Sequence, residues 1–294
     1  MRSRISRTVM DFNRGANATE EGGPLEALLN KSSSKKASMG QSLPRYFVFC
    51  AMAGAYVGMG VALMFSVSGP LYAAHSPYTT LVMGLVFGIA LLLIVFAGAE
   101  LFTGNNLTFA LGAMGGRITW GDAGRNWVWC WLGNFAGALL FAWLLYLSGV
   151  FSAAGPDHQL FAVAAKKMHL PFGQLFVRGI LCNWLVCLAV WCLSAVKSET
   201  AKIVLCAWCL LAFVSSGFEH SVANMTTLTL SLLLEHPDTV TVAGLVHNLV
   251  PVTLGNIVGG AGFVGGAYWY ASRSPAKRGR EASSPTSREG YTLK

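Results

Sequence analysis

Apolar residues in this chain run in long uncharged blocks, and the polar stretches between the blocks are short and mostly basic. No Asp, Glu, Lys or Arg lies between Arg45 and Glu100, between Arg125 and Asp157, or between Asp238 and Arg273. About 20 predominantly apolar residues cross a bilayer as a helix, so each block holds one or two crossings. The pattern predicts six spans, at 44–70, 80–114, 121–149, 172–196, 203–234 and 243–271. Together they form a membrane domain at 44–271, flanked by polar tails at 1–43 and 272–294. The second and fifth stretches are longer than one crossing needs. They are also interrupted, by the run from Ala97 to Asn106 and by the run from Ser215 to His220. Both are expected to be broken helices.

Composition agrees with the pattern. The chain is 54% hydrophobic and 12% charged, with a mean hydropathy of +0.52, which excludes an ordinary soluble domain. The N-terminal tail, the 115–126 and 197–202 loops and the C-terminal tail hold 18 of the 21 Lys and Arg. The positive-inside bias therefore places both termini in the cytoplasm and explains the +8 net charge without a nucleic-acid partner. The expected location is the plasma (inner) membrane. Arg2, Arg4 and Arg7 in an acid-free start resemble an organelle transit segment, which makes an organellar membrane the alternative. In the N-terminal tail only Pro24 to Leu29 reads as a short amphipathic helix, lying on the membrane surface. All seven cysteines fall within apolar spans. They read as small packing residues, and no metal site or cofactor is expected.

Glu219 and His220 are the only ionisable residues between Ile203 and Leu234 apart from thiols. Such groups are expensive at bilayer depth and mark paths for ions or protons. Glu219 also belongs to a repeat. Gly98-Ala99-Glu100 is followed in the next span by Leu132-Gly133-Asn134-Phe135-Ala136-Gly137, and Gly217-Phe218-Glu219 is followed by Leu254-Gly255-Asn256-Ile257-Val258-Gly259. Asn105 and Asn224 each stand five residues after their glutamate. Three spans per half give the halves opposite membrane orientation. The predicted fold class is an all-α integral membrane protein, built as a 3+3 inverted repeat whose broken second and fifth helices meet at the transport site. Gly54 and Gly58, Gly133 and Gly137, and Gly255 and Gly259 have the small-residue spacing of close helix packing.

The runs Ala99-Glu100-Leu101-Phe102-Thr103-Gly104-Asn105 and Gly217-Phe218-Glu219-His220-Ser221-Val222-Ala223-Asn224 resemble the two signature segments of the formate/nitrite transporter family. Cys182-Asn183-Trp184 and Thr253-Leu254-Gly255-Asn256 extend the likeness over about 44–271. The chain is most like the family's bacterial nitrite-channel branch. The resemblance implies an aquaporin-like helix arrangement, a homopentamer with one pore per protomer, and passage of small monovalent anions such as nitrite or formate together with protons. It places the central histidine at His220, its partner acid at Glu219 and the polar break of the second span at Thr103. It further implies a vestibule lysine at Lys167, pore asparagines at Asn183 and Asn256, and constrictions at Phe87, Leu91, Leu101, Phe102 and Phe213.

Chemistry assigns roles to these positions. Imidazole can donate a hydrogen bond to an oxyanion or carry a proton. A carboxylate in the lumen would repel an anion. Glu219 and Glu100 are therefore expected to hold the broken backbone through its N–H groups. Lys167, in a polar outer loop, would draw anions in, and the apolar rings would strip water from them. A channel for neutral solutes such as water is the second reading. An integral-membrane enzyme using Glu219 and His220 is the third, but no nucleophile motif or ligand set accompanies the pair.

Overall fold

The computed structural model describes residues 23–272. The basic segment at Arg2 to Arg7 and the 273–294 part of the C-terminal tail lie outside the described residues. Among the described residues every regular element is helical. The order is α1 (Gly23–Gln41), α2 (Leu43–Ala73), α3 (Thr79–Phe87), α4 (Ile89–Ala97), α5 (Phe102–Met114), α6 (Trp120–Leu147), α7 (Gln159–His169), α8 (Phe172–Ala195), α9 (Glu199–Ser215), α10 (Ser221–Leu233) and α11 (Val242–Ile257). A π-helical segment, Val258–Gly266, then leads into α12 (Ala267–Ser272).

Five stretches are long and apolar enough to cross a membrane: Leu43–Ala73, Thr79–Ala97, Trp120–Leu147, Phe172–Ala195 and Val242–Ser272. The predicted fifth span is cut into α9, of 17 residues, and α10, of 13, and neither piece reaches the ~20 residues of a full crossing. The cuts fall where the sequence places them. Gly98 and Gly217, at φ 77° and 71°, take the left-handed conformation that glycine adopts without a Cβ penalty.

Two helices differ from expectation. The segment from Pro24 to Leu29 is part of a 19-residue helix, α1, and does not lie free on a surface. Leu28, Leu29, Ser32 and Met39 are buried in the body of the protein. The stretch carrying Lys167, expected as a loop, is helix α7. Leu160, Phe161, Ala164 and Met168 form its buried side, which is the spacing of one helical face.

Glycine lets two helix pairs touch backbone to backbone. A Cβ at Gly137 of α6 would overlap the carbonyl of Ala51 in α2, and one at Gly54 would overlap the carbonyl of Asn134. In the other half, Cβ atoms at Gly255 and Gly259 would overlap the carbonyls of Phe176 and Ile180 in α8.

These contacts bring an asparagine against each break. Asn134 Nδ2 donates to the carbonyls of Cys50 (2.8 Å) and Glu100 (2.8 Å), and its Oδ1 accepts from Phe102 N–H (2.9 Å). Asn256 Nδ2 donates to the carbonyls of Gly179 (2.8 Å) and Glu219 (3.0 Å), and its Oδ1 accepts from Ser221 N–H (2.9 Å). The backbone N–H of Glu100 donates to Phe49 O and that of Glu219 to Arg178 O. The sequence repeat is thus also a repeat of hydrogen bonds. It corrects the role expected of the glutamates, since the side chains bracing the broken backbone are the asparagine amides. An amide offers a donor and an acceptor to a break that exposes both, whereas a carboxylate only accepts.

Replacing Gly255 with Val must push α8 away from α11. The cost is expected at the top of the roughly 1–3 kcal/mol of an overpacked core or above it, read as loss of the monodisperse peak on size-exclusion chromatography. Gly262→Ala, which meets only Val258 Cγ1 at 4.0 Å, serves as the silent control. Asn256→Leu leaves buried backbone groups unpaired at about 1–3 kcal/mol each. Its thermal unfolding midpoint in detergent should fall by roughly 5–10 °C, and Asn134→Leu should match it. An unchanged midpoint in both would show that the breaks are held by something else.

Candidate functional site

The two breaks face each other across a narrow chamber of about 10 Å³, close to the room one water needs. Counting along the sequence from Glu100 and Glu219, and from the backbone acceptors Phe49 and Arg178, pairs most of its walls. Val57 corresponds to Val186, Leu91 to Leu210, Ile94 to Phe213 and Leu101 to His220. Three pairs are apolar on both sides. In the fourth, a leucine faces an imidazole.

His220 is 5% exposed and caps α10, its Nδ1 accepting the N–H of Ala223 at 3.1 Å. A ring nitrogen that accepts carries no proton, so in the neutral ring the hydrogen sits on Nε2. Nε2 lies 3.0 Å from Thr103 Oγ1 on α5. The ring stacks on Phe213 at 5.7 Å, and Phe87 meets Phe213 edge-on at 5.9 Å. The structure therefore brings together His220, Thr103, Phe87, Leu91, Leu101 and Phe213.

Three other expected site residues stand elsewhere. Phe102 is buried but does not line the chamber. Asn256 uses its amide on the backbone, as described. Asn183 Nδ2 has three acceptors around it, the carbonyls of Asn256 (2.6 Å) and Thr103 (3.2 Å) and the Asn106 Oδ1 (3.0 Å). Both asparagines tie the breaks to their neighbours, and neither lines the chamber. Two cysteines assist: Cys130 Sγ donates to Glu100 O and Cys187 Sγ to Thr103 O.

The carboxylates at the breaks are held by cations. Lys167 Nζ lies 2.9 Å from both oxygens of Glu219, and Asn224 Nδ2 donates to the same carboxylate at 2.6 Å. In the first half, Lys35 Nζ lies 2.6 Å from Glu100 and donates to Asn105 Oδ1. Asn105 Nδ2 and the Tyr46 hydroxyl donate to Glu100 as well. The glutamate side chains are only 1% and 3% exposed, a burial that an ionised carboxylate tolerates only when paired. Each helix that precedes a half, α1 and α7, supplies the lysine for that half. Lys35 was not among the expected site residues. Asn105 and Asn224 carried the sequence signal, as the repeated partners of the two glutamates.

Beyond Leu91, Ile94 and Leu101 opens a vestibule of about 590 Å³, lined in part by Lys31, Lys35, Glu100 and Lys197. Those three apolar side chains border both cavities and form the partition between them. Burial, followed by the neighbouring Lys35, pushes the Lys31 amine down to about 8, against an opposing pull from Glu100. Among the described residues, no three His, Cys, Asp or Glu come together as a metal-ligand set.

Paired charges thus flank an apolar neck with one hydrogen-bond donor. With its hydrogen on Nε2, His220 donates to the Thr103 hydroxyl and is not placed as its base. Comparison with known proteins agrees. The formate/nitrite transporter family profile matches residues 26–270. The nitrite transporter NirC of Salmonella typhimurium is 47% identical over 77% of this chain and 83% of its own length. A solved FNT family ion channel superposes with a TM-score of 0.81 at 41% identity, covering 85% of this chain and 99% of that one. A pentameric formate channel with formate bound superposes with a TM-score of 0.66 at 32% identity, over 77% and 96%. These relatives are transporters and channels, not enzymes. The chain is an integral, multi-pass membrane protein and belongs to the formate/nitrite transporter family.

Proposed function

We propose that this protein is a channel for small monovalent anions, nitrite first and formate second, working as a homopentamer with a pore in each protomer. In this reading the halves form the 3+3 inverted repeat, with α9 and α10 together making the fifth crossing. Both termini and the 590 Å³ vestibule face the cytoplasm, in the plasma (inner) membrane. The observation that carries the proposal is the single polar wall of the chamber, His220, in the place the other half fills with Leu101.

An anion entering an apolar neck loses its water and needs a compensating donor. His220 Nε2–H is directed toward Thr103 and is the donor the anion would engage as it passes. A second proton would have to sit on Nδ1 and displace the bond from Ala223 N–H. His220 therefore acts as a neutral donor, and the proton that accompanies the anion crosses on the substrate as its conjugate acid. The N-termini of α5 and α10 both start at the breaks and add partial positive charge there. Lys167 and Lys35 neutralise the glutamates, so neither repels the passing anion.

His220→Phe tests the reading in proteoliposomes by stopped-flow nitrite uptake at several pH values. Loss of the donor is expected to slow uptake by at least about tenfold, which corresponds to about 1.4 kcal/mol on the barrier. Unchanged uptake and an unchanged pH response would refute it. Lys167→Gln leaves Glu219 as a bare buried charge. Uptake should fall by a similar factor and be restored in part by the double substitution Lys167→Gln with Glu219→Gln, whereas a purely structural lysine would show no such rescue.

A further inference from the structure

The vestibule holds more positive charge than the transport site uses. Four lysines line it, Lys31 and Lys35 from α1, Lys197 after α8 and Lys202 on α9, against the carboxylates of Glu100 and Glu199. Lys35 is taken by Glu100 and Lys202 by Glu199. Lys31 and Lys197 have no carboxylate partner among the described residues. Two uncompensated ammonium groups on different elements thus border one cavity. Ser34, Ser194 and Thr108 add hydroxyls to the same wall.

Size and charge point to a particular occupant. About 590 Å³ is the volume of a metabolite-sized site, far beyond a three-atom anion. The way onward is the partition of Leu91, Ile94 and Leu101, and the chamber behind it has room for about one water. An anion with two or three charges in this cavity has two lysines without carboxylate partners in its wall. It cannot follow a monovalent anion through the neck, because desolvating several charges there is prohibitive.

We propose that this vestibule binds a compact polyvalent oxyanion, a di- or tricarboxylate or a pyrophosphate group, between Lys31 and Lys197, and that the bound anion blocks monovalent anion flux from this side. The block rests on the channel reading above; the binding does not. Binding also has its own pH signature. The groups facing Lys31 are Lys35, whose charge lowers its proton affinity, and Glu100, which raises it. Lys31 is charged below about pH 8 and neutral above it, so affinity should weaken as pH rises through 8, and the bound anion should move that loss to higher pH.

The test uses the full chain with citrate and pyrophosphate as probes and acetate as the monovalent control. Binding is read by isothermal titration calorimetry in detergent, and block by nitrite uptake in proteoliposomes, each variant scaled to its own unblocked rate. Expected results are binding and block by citrate or pyrophosphate and none by acetate at equal ionic strength. Lys31→Ala and Lys197→Ala should each raise the half-blocking concentration at least tenfold. Lys31→Arg, which stays charged, should keep the block and lose the change around pH 8. Absence of binding by both probes, or binding untouched by either alanine substitution, overturns the proposal. Binding with these properties in a protein that passes no nitrite would uphold the site and overturn the channel reading and the block with it.

Discussion

A peptide group without a hydrogen-bond partner is not tolerated at bilayer depth, and this protein breaks its backbone there twice. Everything around the site follows from satisfying those breaks. Asn134 and Asn256 reach them because Gly54, Gly137, Gly255 and Gly259 let α2 lie on α6 and α8 lie on α11 with backbones in contact. The glutamates need a different solution. Their carboxylates are buried beside the breaks, and each is matched by a lysine from the helix that precedes its half. α1 and α7 therefore belong to the bracing of the breaks, although neither is among the helices long and apolar enough to cross a membrane.

The two halves repeat their bracing almost bond for bond but differ where it matters for a solute. Leu101 and His220 hold equivalent places in the chamber. Tyr46, whose hydroxyl donates to Glu100 and accepts from Asn105 and Asn126, has Leu175 as its counterpart on α8. In the second half Asn248, the counterpart of Asn126, itself donates toward the carboxylate of Glu219 and to Lys167 O. The scaffold is kept symmetric by the backbone it must satisfy. Side chains that do not brace it are free to diverge, and that freedom allows one polar group in an otherwise apolar neck.

What the sequence disclosed was whatever shows as a local pattern. Uncharged blocks pointed to the apolar stretches, five of which are long enough to cross a membrane, and the glycine- and polar-interrupted runs around the glutamates gave the breaks. The L-G-N-x-x-G recurrence gave the asparagines that brace both breaks, and a lone imidazole in an apolar stretch gave the polar wall of the chamber. Hidden from it were partnerships made across the fold. Lys35 sits in a Ser- and Lys-rich stretch that reads as solvated tail, because only four of the 19 residues of α1 are buried. The amides of Asn183 and Asn256 are polar groups in apolar spans, and composition does not tell an amide facing a lumen from one bonded to a neighbouring backbone. The π-helical segment had no period to detect, since Gly259, Gly260, Gly262, Gly265 and Gly266 permit it without announcing it.

The distribution of paired and unpaired charge decides how far each lysine acts. A lysine locked to a carboxylate leaves a dipole, whose field fades faster with distance than that of a bare charge. Lys35 and Lys167 therefore act locally at the breaks, where in the proposed channel they would cancel the repulsion of Glu100 and Glu219. Lys31 and Lys197 have no such carboxylate partner among the described residues, and they line a cavity whose walls focus charge. The two mouths are thus electrically unlike even though the neck between them is nearly symmetric. In the proposed channel, an anion arriving through the vestibule would meet Lys31 and Lys197 before the partition, and one arriving from the other side the neutralised Lys167–Glu219 pair. If the proposed path is the route, any difference between the two directions of passage must arise in the approaches, because the neck presents the same apolar walls and the same single donor from either side.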